Sequence, residues 1–143
     1  MPLVMKKILA LLVGLFVCVA TVALIEQLNH SLFAPAIELN TQDPAAERAY
    51  MQNLPVVAYL LVLLAWITGT FTGISVASLI VKRVSRLFMP VITGMMLLST
   101  VANFYLLPHP IWLMVATVVL IPAAGILTGL WLSRRFPKPA TLQ

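Results

Sequence analysis

Four stretches of this chain run for about 18 residues or more without a charged side chain: residues 8–25, 54–81, 87–107 and 111–132. About 20 predominantly apolar residues span the hydrocarbon core of a bilayer as a helix. The expected fold class is therefore all-α, an integral membrane bundle of four transmembrane helices. Two consecutive hairpins give an up-down-up-down order. Residues 1–143 form a single four-helix transmembrane domain, with spans over about 8–30, 54–81, 87–107 and 110–133 and an outer loop over 31–53.

Composition agrees. Only 9% of residues are charged and 62% are hydrophobic, against roughly 25% charged in a soluble domain. The mean hydropathy is +1.04. Such a chain takes the lipid bilayer as its partner. The net charge of +5 is not read as a nucleic-acid signal, because the basic residues sit in short clusters beside apolar runs with no interleaved aromatics.

Those clusters give the orientation. Lys6 and Lys7 precede the first run, Lys82, Arg83 and Arg86 separate the second from the third, and Arg134, Arg135 and Lys138 follow the fourth. Eight of nine basic residues thus fall on one side of a four-span path. Glu26, Glu38, Asp43 and Glu47 fall on the other, with Arg48 alone among the basic residues there. Basic loops stay cytoplasmic, so both termini are expected inside. Lys6-Lys7 followed by an apolar run also has the outline of a secretory signal, with "TVA" at residues 21–23 as a weak cleavage site. The run exceeds the usual signal length of about 7–15 residues, and an uncleaved first span is expected.

The first loop contains "DPAAERAYMQ", residues 43–52. Asp43 suits an N-cap and Pro44 the first helical position, so a short extracytoplasmic helix is expected, with Asn53 capping the next span. "LPHP" at residues 107–110 reads as a tight hairpin. Pro122 falls midway along the fourth span, where it removes a backbone hydrogen bond and should kink the helix.

Small residues recur at four-residue spacing. The second span has Ala65, Gly69, Gly73 and Ala77, the first has Ala10, Gly14 and Cys18, and the fourth has Gly125 and Gly129. Such rows let helix backbones approach closely. They are expected to pack helices within one chain; a seam between two copies, or against another membrane protein, is the alternative. Trp112 and Trp131 bracket the fourth span as interfacial anchors should, whereas Trp66 lies too deep for that role and is expected in the interior.

Chemistry is sparse. A single cysteine, Cys18, excludes an intramolecular disulfide and a thiolate zinc site. No Asp, Glu, Lys or Arg sits in the middle of a span, as a proton or ion pathway would require. The small multidrug transporters depend on an acid within their first helix, and "LLVGLFVCVAT", residues 11–21, has none. Two histidines on one side cannot ligate a buried pair of haems. No catalytic residue, metal ligand or cofactor is assigned. What remains is a polar cluster at the outer rim: Glu26 and His30 one helical turn apart, Asn103 about one turn inside the third span, and His109 in the hairpin. The first reading is of interfacial side chains wetted by headgroups and water; a structural polar network comes second, with Glu26 hydrogen-bonded to His30 or Asn103 or else protonated, and a metal or catalytic site last.

"LLAWITGTFTG" (residues 63–73) and "ANFYLLPHPIW" (residues 102–112) carry a resemblance. The chain resembles small four-span bacterial membrane proteins of unknown function. The resemblance implies the cytoplasmic membrane of a bacterium and brings no activity, cofactor or residue role. The function expected is that of a non-enzymatic accessory or packing component. A small oligomeric transporter or channel for a neutral or hydrophobic solute is the alternative, and an outward-facing enzyme comes last.

Overall fold

The structure, a computed structural model, describes residues 2–33, 43–83 and 87–136, without the side chains of Pro44, Glu47 and Arg48. The positions of Glu38, Arg86 and Lys138 lie outside the described residues. Five helices and no strand are found among those described: α1 (Leu3–Phe33), α2 (Pro44–Asn53), α3 (Val56–Val81), α4 (Phe88–Leu106) and α5 (Ile111–Arg135). All but α2 are long and apolar enough to cross a membrane, as expected of a multi-pass membrane protein. The outward residues point the same way. Leu12, Phe16, Leu24 and Leu28 on α1 and Val115, Val118 and Val119 on α5 are all more than half exposed. In water such a surface would aggregate; against lipid tails it carries no penalty.

α1 starts earlier than the uncharged run, taking in Lys6 and Lys7. Lysine is a good helix former and its stem can lie along apolar surface while the ammonium stays wet. Two boundaries differ from the sequence reading. Asn53 does not cap α3; it closes α2, its Nδ2 donating to the Ala49 carbonyl at 2.8 Å. Pro55 takes the N-cap position of α3, which has no side-chain cap. The Pro55 carbonyl accepts from the Ala58 N–H at 2.9 Å, and the proline φ of −67° leads into the helix. At the N-terminus of α2, Asp43 accepts a bond from the Ala45 N–H at 2.9 Å.

α3 is the axis of the molecule. It packs against α1, α4 and α5; α4 also touches α1 and α5; α1 and α5 do not meet. It buries more residues than any other helix, Tyr59, Trp66, Ile74, Ala77 and Val81 among them, and leaves Leu60, Leu64, Phe71 and Leu79 exposed along one face. α1 buries only Ala10, Gly14 and Cys18, a narrow stripe at four-residue spacing. That stripe lies on the small row of α3. A Cβ on Gly14 would stand 2.7 Å from the Gly73 carbonyl oxygen and 2.8 Å from the Ala77 Cβ. A Cβ on Gly73 would stand 2.8 Å from both the Cys18 Cβ and the Gly14 carbonyl oxygen. Higher up α1, Val22 meets Gly69. Numbers rising along α1 meet numbers falling along α3, so the two helices pass in opposite directions.

α4 and α5 use a different fitting. A Cβ on Gly125 would collide with the Thr93 side chain of α4, and one on Gly129 would lie 3.0 Å from the Met89 sulfur. Gly94, by contrast, has no atom within 4 Å of where its Cβ would be. Ala65 is fully buried on α3. α5 continues through Pro122 as one segment, although that residue supplies no N–H to the Val118 carbonyl.

Candidate functional site

Polar side chains gather where α1 ends, α3 begins and α4 turns into α5. Glu26, His30, Asn103 and His109 all line one cavity of about 190 Å³, which α2 bounds through Tyr50 and Met51. Two bonds tie α2 in place. The Tyr50 hydroxyl donates to the Phe33 carbonyl of α1 at 2.8 Å, and the buried Tyr59 hydroxyl of α3 donates to the Met51 carbonyl.

The Glu26 partner is neither His30 nor Asn103. Its Oε1 accepts a bond from the Trp66 indole N–H at 3.2 Å. Trp66 is 2% exposed, and a buried indole needs an acceptor. The opposed course of α1 and α3 brings Glu26 to it, four residues beyond the Val22–Gly69 contact. His30 is exposed at the cavity rim. Glu26 and His30 share a cavity without a hydrogen bond between them, because the tryptophan comes from a neighbouring helix and holds the carboxylate inward.

Asn29, one residue before His30, was not singled out in the sequence. Its Nδ2 donates to the Ala58 carbonyl of α3 at 3.2 Å, which leaves Oδ1 as a buried acceptor with no partner. The available signal was its three-residue spacing from Glu26, which puts both on one helix face.

His109 sits in an aromatic nest. Its ring centroid lies 5.3 Å from that of Phe104, 6.4 Å from Trp66 and 6.4 Å from Tyr59. Trp66 and Phe104 meet edge to face at 5.8 Å, and Tyr59 meets Trp112 at 6.3 Å. His109 Nδ1 lies 2.8 Å from the Leu107 carbonyl oxygen. A carbonyl only accepts, so Nδ1 carries the hydrogen and the neutral ring keeps Nε2 as an acceptor. Burial pushes the His109 pKa below its ordinary value, and the Leu107 bond opposes that only in part.

A second cavity, of about 260 Å³, opens between α1 and α4. Val19, Val22 and Ala23 line it on one side and Met96, Ser99 and Thr100 on the other, with Trp66 at its back. Glu26 and Asn103 line both cavities. Among the described residues neither lining contains a lysine or arginine, and no three His, Cys, Asp or Glu side chains gather closely enough to hold a metal.

At the far end of the molecule Trp131 packs on Phe71 with centroids 5.8 Å apart, and the Arg135 guanidinium lies 4.7 Å from its ring centre. No protein-family model, curated protein or solved structure matches the chain.

Proposed function

We propose that this chain is a four-span protein of a bacterial cytoplasmic membrane that acts without catalysis, as an accessory component working through helix contacts. It is one domain in up-down-up-down order. Both termini and the loop between α3 and α4 face the cytoplasm, and α2 lies on the extracytoplasmic face over the mouth of the bundle. The distribution of basic residues supports this orientation. The observation that carries the functional reading is the closure of the bundle toward the α3–α4 turn. Gly14, Gly73 and Ala77 meet with almost no room for another atom, and Ile92 of α4 packs against the same point. A seam that tight suits a scaffold better than a conduit.

Purification from native membranes tests it. A membrane protein co-purifying at near-stoichiometric level is the expected result. A chain that elutes alone and carries a neutral solute across liposomes would replace this reading with that of a small oligomeric transporter. The cavity between α1 and α4, which reaches down to Val19 and Met96, favours that second reading.

A further inference from the structure

The two cavities that share Glu26 and Asn103 differ in character. The upper one is rich in acceptors and aromatic faces: the Glu26 carboxylate, the unpartnered Asn29 Oδ1, and the rings of Tyr50, Tyr59 and His109. The lower one is apolar along α1, with Val19, Val22 and Ala23, and is walled on α4 by Met96 and two hydroxyls. Val19 and Ala23 are exposed on the flank of α1 and Ser99 on that of α4, so the cleft opens sideways, on the surface that faces lipid. Val19 lies about 10 Å along the helix from Glu26 at 1.5 Å per residue.

We infer that this pair of cavities is a binding site for a single-chain amphiphile with a protonated amine head, the head lodged at Glu26 and Asn29 and the tail lying in the cleft between α1 and α4. The chemistry of the acceptors selects the head. A buried acceptor without a partner costs free energy that an N–H donor on the ligand recovers. A carboxylate with no lysine or arginine among the described lining residues favours an ammonium over a neutral or anionic head. Aromatic faces around the cavity add cation–π attraction. A phosphate-bearing head would meet Glu26 with no lysine or arginine among the described lining to offset it. The tail requires no aqueous entry, because the cleft opens laterally. The inference rests on the membrane reading above only for the lipid around the cleft, and it does not depend on which way the chain faces.

The test uses the full chain in nanodiscs with Trp112 and Trp131 changed to Phe, so that Trp66 is the sole tryptophan. Brominated dodecylamine, dodecanol and dodecanoate are added as quenchers of its fluorescence. The expected result is saturable quenching by the amine at concentrations at least tenfold below those needed for the other two, with the preference lost in Glu26→Gln. Ser99→Phe, at an exposed position on the wall of the cleft, should weaken amine binding while leaving the melting temperature unchanged. It decides the matter should Glu26→Gln not fold. Equal quenching by all three probes, or an amine preference that survives both substitutions, would overturn the site. Either failure would leave the four-span accessory reading standing, since cysteine labelling and co-purification test that separately.

Discussion

The Trp66–Glu26 bond is where one side chain from each of two helices fixes the rim of the bundle. Trp66→Phe keeps most of the ring and deletes the donor, so the expected cost is about 1.5–3 kcal/mol, the range for hydrogen bonds to charged groups. In a Glu26→Ala background the same change should cost measurably less, and equal costs in both backgrounds would show the bond to be idle. His109 supplies a pH dependence with a definite sign. Its folded pKa is lowered from the ordinary 6.5, so the unfolded chain binds the proton more tightly. The stability that the neutral ring contributes is full above that value and is lost as pH falls below it. The melting temperature should therefore drop between about pH 7.5 and about pH 5.5, with a shallower slope in His109→Gln. Little of this was legible in advance. The sequence singled out Glu26, His30, Asn103 and His109 because polar residues are conspicuous at the ends of apolar runs. It could not show that Trp66 reaches Glu26, because a 40-residue separation becomes a contact only through the register of α1 on α3. Asn29 and Tyr59 escaped notice because each looks like an ordinary interfacial residue until its partner is placed.

Among the elements, α3 ends in an unexpected way. Lys82 adopts the left-handed conformation with φ 57°, the Arg83 N–H reaches back to the Ser78 carbonyl at 3.2 Å, and the Lys82 N–H bonds Leu79 at 3.2 Å. This six-to-one and five-to-two pattern usually has glycine at the left-handed position. Lys82→Gly should raise stability by about 1 kcal/mol, the approximate penalty of that conformation for an L residue; Lys82→Ala should not. A lysine here is understandable if its charge is worth more for orientation than the strain costs. The small-residue rows offer a sharper contrast. Gly73→Leu should destabilise by about 1–3 kcal/mol through overpacking, because Cys18 Cβ and a backbone oxygen already stand at 2.8 Å from the added atom. Gly94→Ala meets nothing within 4 Å and should be neutral or stabilise by up to about 1 kcal/mol through helix propensity. Chemical denaturation in bicelles measures both. The helices themselves were readable because uncharged runs of that length have few alternatives. Their ends were less so: Asn53 turns back onto Ala49 rather than forward onto α3, a choice that amino-acid type alone leaves open.

At the scale of the whole molecule, the orientation proposed above makes the remaining prediction. In a Cys18→Ala background, Gln52→Cys on the exposed side of α2 should react with an impermeant thiol reagent in intact cells, and Ser133→Cys near the end of α5 should not. The reverse pattern would invert the topology. The layout in which α3 touches the other three long helices while α1 and α5 stay apart was not legible from the chain, since four uncharged runs can be arranged around one another in several ways. It also has a consequence in time. The notch on α1 at Gly14 is filled by Gly73, which follows the end of α1 at Phe33 by forty residues, and at about 5–20 residues per second a ribosome takes roughly 2–8 s to deliver it. For that interval α1 already lies in the bilayer with its groove empty. The close fit that makes the finished seam tight leaves the newborn helix open to any other small-faced helix that drifts past it first.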